Sequence, residues 1–575
     1  MDVSRAAAGG SFLITAPGPG DVFTPEEFST EHRLAARSLT DFLEAEVEPR
    51  AAELEIHNYP LMRQLLRRLG ELGFLGVDVP EGYGGSDLDF ITSLLVAETM
   101  SRGSFAVSFG AHTGIGTLPI VYFGTEQQKR RYLPALAAGE TVGAYALTEP
   151  TAGSDALGAR TRAVAAEDGR AYRLTGTKQF ITNAGFADLF TTYAKIDGER
   201  FTGFIVERTT EGLEVGPEEH KMGIKGSSTA SVFFDNARVP AENVLGEIGA
   251  GHRVALNILN IGRLKLATAC AGAAKRALRQ AIGYASERRQ FGRPIASFGL
   301  IQQKLAEMAV RTYLLESMIY RTGGLIEAGR ADGPLVRAVE EYAVECAIDK
   351  VYASEAADFV MDELVQVYGG SGFIEEYPAA RQYRDSRISR IYEGTNEINR
   401  LLITGMLLRR AQRGRLPLLD ACRAAADGPA TSRGAANGGP LADLRDQIER
   451  AKQACLLITG LAVQRHGDAI ADQQEVLAAI ADTIIDIFAM ESGLLRALRA
   501  QPHEAKADLV RAGVAAGTAR VHGSCRRVLA ALLEGEALRM RLDAVRRLLE
   551  GPPPDAFQLG RRIAVRLLDA GAYVA

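Results

Sequence analysis

Apolar residues recur at spacings of three and four across residues 26–53 and again across 61–72, which predicts amphipathic helices. The pattern breaks at Val77-Asp78-Val79-Pro80-Glu81-Gly82-Tyr83-Gly84-Gly85, a glycine-rich connector. Residues 105–120 are helical in pattern but carry Gly110, Gly114 and Gly116. Glycines weaken a helix interior, so something is expected to pass close to this one. Thr125 is placed to cap a further helix beginning at Glu126. Between residues 141 and 244 the period shortens to two. Residues 172–175, 189–193, 203–207 and 231–234 read as strands, with turns at Asp168-Gly169 and Asp197-Gly198. An insert of about 100 residues is too large for a loop. The helical period then returns in long runs, 266–286, 301–328 and 333–368, whose length implies a bundle.

Beyond residue 405 the pattern changes twice. Arg409, Arg410, Arg413, Arg415 and Arg423 alternate with Leu407, Leu408, Leu416, Leu418 and Leu419. The stretch ends in Gly428-Pro429 and a glycine-rich run to Pro440, the composition of a linker. Residues 441–575 form another helical block, broken by Gly551-Pro552-Pro553-Pro554. The predicted fold class is α+β, mainly α. Its parts are a flexible tail (1–24), a helical domain (25–140), a central antiparallel β domain (141–248), a four-helix bundle (249–404), a basic linker (405–440) and a C-terminal helical extension (441–575).

Composition narrows the function. The chain of 575 residues is 47% apolar and 24% charged, ordinary for a soluble globular protein. A net charge of -5 gives no general attraction to nucleic acid. Five cysteines, Cys270, Cys346, Cys422, Cys455 and Cys525, form no CxxC pair, as expected of free thiols in a reducing compartment. Eight histidines show no paired metal spacing, so no metal site is expected. No apolar run of about 18 residues stands out as a membrane span. The first 25 residues lack a signal-peptide pattern and hold only Arg5 as a base. A cytoplasmic protein is expected, with residues 405–425 as a candidate for peripheral membrane contact. Pro417 interrupts a single helix there.

Five short segments could carry chemistry. Leu147-Thr148-Glu149-Pro150-Thr151-Ala152-Gly153-Ser154-Asp155 offers hydroxyls and backbone N–H groups to a polar ligand. Lys178-Gln179-Phe180-Ile181-Thr182 places an aromatic and a hydroxyl two apart, on one face of a strand. Arg288-Arg289-Gln290-Phe291-Gly292 puts bases at a helix end, where they cap the helix or hold a pyrophosphate. Gln366-Val367-Tyr368-Gly369-Gly370-Ser371-Gly372 lets a ligand approach the backbone. Arg390-Ile391-Tyr392-Glu393-Gly394-Thr395-Asn396-Glu397 sets a carboxylate beside a glycine. Each segment alone reads equally as an ordinary turn, cap or solvated helix end.

Their order and intervals together resemble the acyl-CoA dehydrogenase family across roughly residues 25–405. Pro80-Glu81-Gly82-Tyr83-Gly84-Gly85 and Gly124-Thr125-Glu126 add to the match. Lys221-Met222-Gly223-Ile224-Lys225 and the block after Gly405 look most like the very-long-chain branch. The resemblance implies an FAD enzyme of fatty acid β-oxidation that converts long-chain acyl-CoA to trans-2-enoyl-CoA. Leu147, Thr148, Gly153 and Ser154 would line the flavin, with Ser154 also touching substrate. Phe180 and Thr182 would meet the isoalloxazine, Phe180 standing where many members carry Trp. Arg288, Gln290, Phe291, Gln366 and Gly370 would reach the FAD of a neighbouring subunit, implying a homodimer. Thr395 and Glu397 would add FAD contacts, Gly394 would adjoin the thioester and Arg263 the CoA moiety. Glu393 would remove the α-proton while the β-hydrogen leaves as hydride to flavin N5. One branch carries its base just before the arginine matching Arg263, and here that position is Gly262. Electron-transfer flavoprotein is the implied acceptor, oxygen being the alternative that acyl-CoA oxidases use. A relative in this branch that serves complex I assembly supplies the alternative of a scaffold.

Overall fold

Helix starts in the first third are fixed by side-chain caps, as the polar residue ahead of each apolar run predicts. Ser29, Asn58, Asp89 and Thr125 accept from the backbone N–H groups of His32, Leu61, Thr92 and Gln128. The computed structural model describes residues 8–427, 441–500 and 503–575, so the last part of the expected linker, 428–440, lies outside the described residues. The chain forms two compact units, Ser29–Ala269 and a second made of Met1–Phe28 with Cys270–Ala575.

In the first unit, helices Thr30–Phe42, Tyr59–Glu71 and Phe90–Thr99 bury Leu39, Leu65, Leu66 and Leu69. The glycines at 110–116 divide into two kinds. A Cβ at Gly110 or Gly114 would meet nothing, whereas one at Gly116 would lie 2.8 Å from the Gly143 carbonyl carbon. Gly116 is therefore required by a strand that crosses close to it, as the glycines led one to expect. His112, buried beside it, accepts from Gly143 N–H at Nδ1 (3.0 Å) and donates from Nε2 to Leu136 O (3.0 Å). Burial pulls its pKa to about 4, so the ring is neutral.

The β insert is one sheet. Its strands are β1 (Gly143–Ala146), β2 (Arg162–Ala165), β3 (Ala171–Thr182), β4 (Leu189–Ile196), β5 (Arg200–Glu207), β6 (Leu213–Glu218), β7 (Thr229–Pro240) and β8 (Val244–Leu245). They run in the order β6-β7-β3-β2-β4-β5-β8, with β1 also against β4. Pairing is mainly antiparallel, but β1 and β2 each run parallel to β4.

The second unit is helical. Helices Gly299–Gly329, Ala343–Tyr368 and Asn396–Gln412 share one apolar core with Ala442–His466, Gln474–Arg499, Glu504–Leu532 and Ala556–Ala570. Helix Gly251–Glu287 is long and apolar enough by composition to cross a membrane, against expectation, but 67% of that apolar window is buried in the protein. Two further expectations fail here. Residues 8–24 are not a flexible tail. Gly9 and Gly10 donate their N–H groups to Glu341 (2.9 Å) and Glu345 (2.7 Å), and Phe12 packs on Phe488. Residues 405–427 are not a basic linker with a free apolar face. Leu407, Leu416 and Leu418 are buried in the core, and Arg410 pairs with Glu341 at 2.6 Å. Most of the leucines are spent on the chain's own interior, with Leu408 and Leu419 half-buried.

Buried charges lock these helices together. Glu491 accepts from Arg321 (2.7 Å) and Lys452 (2.5 Å). Arg496 donates to Glu316 (2.6 Å) and Glu26 (3.0 Å), while Lys275 and the Tyr573 hydroxyl also reach Glu316. Burial alone would raise the Glu316 pKa, but Arg496 and Lys275 outweigh it and hold the carboxyl at about 2. A depressed carboxylate stabilises the fold fully above its unfolded pKa and loses that effect as pH falls through the folded value. Glu316→Gln is therefore expected to unfold at lower urea than the parent at pH 6. The gap should narrow as pH falls from about 4.5 toward 2. A gap independent of pH would contradict the pairing.

Candidate active site

In the first unit, the loop after β1 is pinned by one buried ion pair. Glu149 accepts from Lys178 Nζ (2.7 Å), from Arg160 N–H (2.5 Å) and from Thr161 N–H (3.1 Å). Lys178 also donates to Leu147 O (3.2 Å), and Gln179 N–H donates to Thr148 O (2.8 Å). Burial lowers the Lys178 pKa to about 8 despite the Glu149 carboxylate. The two expected motifs, Leu147 to Asp155 and Lys178 to Thr182, are thereby joined. Neither Glu149 nor Lys178 had a role in the sequence reading, although both stand inside the quoted motifs. The loop buries Leu147, half-buries Thr148 and exposes Gly153 and Ser154, and a Cβ at Gly153 would meet nothing.

Strand β3 bulges between Lys178 and Ile181. Phe180 sits in this bulge with φ of 58° and is 57% exposed. The period-two argument for Phe180 and Thr182 is interrupted there. Both nonetheless flank buried Ile181 and lie on the side away from the core. Arg263, in helix Gly251–Glu287, is buried and donates from Nη1 to Asn260 (2.7 Å).

In the second unit, Glu393 and Gly394 both have positive φ, 57° and 82°. A left-handed non-glycine residue costs about 1–2 kcal/mol, so the surroundings must hold this one in place. They do so through carbonyls. Lys350 Nζ donates to Gly394 O (2.7 Å), and Asn399 Nδ2 donates to Gly394 O (2.8 Å) and Thr395 O (3.1 Å). Thr395 Oγ1 accepts from Ile398 N–H (3.2 Å), capping the helix that follows. Glu397 is exposed in its first turn, and its own backbone N–H lowers its pKa. Glu393 is half-buried.

The bases after residue 287 do more than cap a helix. Arg289–Gln290 and Arg293–Pro294 pair as a tiny hairpin whose turn, Phe291-Gly292, has φ of 51° and 79°. That is the type I′ pattern, in which Phe is an unusual occupant, and Phe291 is 92% exposed. Arg288 and Gln290 are exposed beside it. Stacking of Tyr284 on Tyr368 (centroids 4.0 Å) joins this helix end to the one carrying Gln366 and Gly370, both exposed. The expected residues thus form two sets. Leu147, Thr148, Gly153, Ser154, Phe180, Thr182 and Arg263 belong to the first unit, and the remainder to the second.

Comparison with known proteins adds a frame. Models described as the N-terminal, middle and C-terminal domains of acyl-CoA dehydrogenase match residues 29–140, 144–237 and 249–408, and a second C-terminal-domain model matches 450–547. The chain is 46% identical to a probable acyl-CoA dehydrogenase of Bacillus subtilis, over 98% of both chains. It is 44% identical to the human very long-chain specific acyl-CoA dehydrogenase over 63% of this chain and 57% of that one. A crystal structure of an acyl-CoA dehydrogenase from Bacillus anthracis complexed with FAD has a TM-score of 0.97 and 46% identity, covering 99% of this chain and 100% of that one. The butyryl-CoA dehydrogenase of Megasphaera elsdenii has a TM-score of 0.62 and 37% identity, covering 66% of this chain and 99% of that one.

Removing the Lys178 ammonium leaves Glu149 buried without its counter-charge. Lys178→Met is expected to lower unfolding stability by about 3–5 kcal/mol in urea titration. A loss below about 1 kcal/mol would mean that solvent already reaches the pair.

Proposed function

Because this chain belongs to the acyl-CoA dehydrogenase family, we propose that it oxidises long-chain acyl-CoA thioesters to trans-2-enoyl-CoA, with Glu393 as the α-proton acceptor. The chain is an FAD-dependent acyl-CoA dehydrogenase in its general activity. FAD suits the residues present: Phe180 is an exposed ring on a bulge, Gly153 leaves an open approach to backbone, and Phe291 projects from a strained turn. Leu147, Thr148, Gly153, Ser154, Phe180, Thr182, Arg288, Gln290, Phe291, Gln366, Gly370, Thr395 and Glu397 are the residues that would hold it. When bound, FAD takes up the β-hydrogen of the substrate as hydride.

The chain's own part is proton chemistry. The observation that carries the reading is the Glu393-Gly394 pair, a carboxylate on a left-handed loop whose carbonyls are tied by Lys350 and Asn399. Such a loop presents the carboxylate in one place, as abstraction of a weakly acidic C–H requires. The Glu393 backbone N–H would donate to the thioester oxygen, where negative charge develops. Gly394 would lie against the thioester, and Arg263 and Ser154 would contact the CoA ester. No carboxylate competes at position 262, which is glycine.

Other parts of the reading have their own support. The human very long-chain relative and the open faces of Gly110 and Gly114 favour acyl groups of about twelve carbons or longer. Electron-transfer flavoprotein is the proposed acceptor. Exposed Phe291, Leu300 and Phe373 support a homodimer. Five free, buried cysteines suit a reducing, cytoplasmic compartment.

Glu393→Gln is expected to keep its FAD and its yellow colour while kcat falls roughly 10²–10⁴-fold, measured with an artificial electron acceptor. A variant that stays active removes Glu393 from the role of base. In an acyl-CoA length series the parent's kcat/KM should rise toward the longer chains. Peroxide release in air without an added acceptor would instead identify an oxidase.

A further inference from the structure

A lysine with no place in the motifs lies under the catalytic loop. Lys350 is 0% exposed, in the middle of helix Ala343–Tyr368. Its ammonium donates to Gly394 O at 2.7 Å and to Asn396 Oδ1 at 2.8 Å. An ammonium is not buried so deeply without a task, because leaving water is costly for it. Here it fixes the peptide plane between Gly394 and Thr395, at the end of the two residues whose backbone is left-handed.

The contact continues outward. Asn396 Nδ2 donates to Ser354 Oγ (3.0 Å) and to Glu355 Oε1 (3.0 Å). Arg400 grips Glu355 with both Nη atoms (2.8 and 3.0 Å), and its Nε donates to Asp482 at 2.7 Å. Asp482 belongs to helix Gln474–Arg499, in the block after residue 441. An unbroken series of hydrogen bonds therefore runs from the loop of Glu393 to the C-terminal helices, all within one unit.

We propose that Lys350 is a positioning residue for the Glu393 loop, and that the C-terminal helices stabilise that position through Asp482, Arg400, Glu355 and Asn396. The proposal rests on the reading of Glu393 as the proton acceptor. Without the ammonium, the Gly394 carbonyl loses a donor and its peptide is freer to rotate. The carboxylate then departs from its line to the substrate α-carbon, and an ångström of misplacement suffices to cost roughly 100-fold in rate. Ser154 and Arg263, which would contact the CoA ester, lie in the other unit and are untouched, so the loss falls mainly on kcat.

Lys350→Met keeps the length of the side chain and removes its donors. It is expected to lower kcat roughly 100-fold, with KM and FAD content within about twofold of the parent. Exchange of the substrate's α-hydrogens with deuterated solvent, which reads proton abstraction by itself, should slow in parallel. Asp482→Asn, at the partly exposed far end, should show the same signature at roughly 3–30-fold. Where Lys350→Met fails to fold, Ser354→Ala carries the same test two hydrogen bonds away, through Asn396. Parent-like kcat and exchange in Lys350→Met, or in its stand-in Ser354→Ala, overturn the proposal, as does a loss of kcat that only follows loss of FAD. Parent-like Asp482→Asn overturns the part assigned to the C-terminal helices. Glu393→Gln run alongside separates the two readings. If it is active, the base assignment fails. If it is inactive while Lys350→Met is active, only the positioning role fails.

Discussion

Charge that cannot reach water must meet its partner inside the protein, and this requirement organises the molecule. In the helical unit, buried Arg496 and Glu316 meet half-buried Glu26 and Lys275 in one group, and buried Arg321, Glu491 and Lys452 form another. Each ion taken out of water costs several kcal/mol unless its partners are in place. Apolar packing tolerates a helix slid along its axis far better than such a set does, so the charges fix register where the leucines only fix proximity. The same rule acts locally elsewhere. Glu149 and Lys178 tie the loop after β1 to β3, and Lys350 sits under Gly394.

Period is legible wherever one face is buried and the other is wet. The long helices and strands β3 and β7 announce themselves in that way, and the doubly buried β4 and β5 do so through their β-branched and aromatic residues around the Asp197-Gly198 turn. Strand β1 does not, because all four of its residues are buried and no alternation is left to see. Its pairing parallel to β4 is invisible for the same reason. Residues 8–24 mislead in the opposite direction. Their glycines and prolines suggest mobility, yet Gly9 and Gly10 bond to carboxylates more than 330 positions away. Local composition holds no trace of a partner so distant. Arg410 is misread likewise, since the acid that neutralises it, Glu341, is not in its own stretch.

The candidate site shows the same division. Glycines, hydroxyls and acids in short motifs mark where a ligand can approach, and those positions are readable. The supports beneath them are not. Lys350 stands in an apolar helical run, where a single lysine suggests a solvated edge. Its partner is a backbone carbonyl 44 residues on, which no side-chain pattern reports. The left-handed conformations of Phe180, Phe291 and Glu393 are equally silent, because the usual sign of such backbone is glycine.

The helical unit is discontinuous in sequence, and this bears on how the chain is made. Residues 29–269 are contiguous and can close as they leave the ribosome. Glu26 cannot, because the arginine it pairs with lies 470 residues later. The opening segment is thus born long before its binding site exists, and it must stay soluble and unengaged while the first unit folds behind it. Its abundance of glycine, proline and acid, in place of a continuous apolar run, suits a segment that waits. Vectorial synthesis makes completion of the helical unit a late event that captures the earliest residues last.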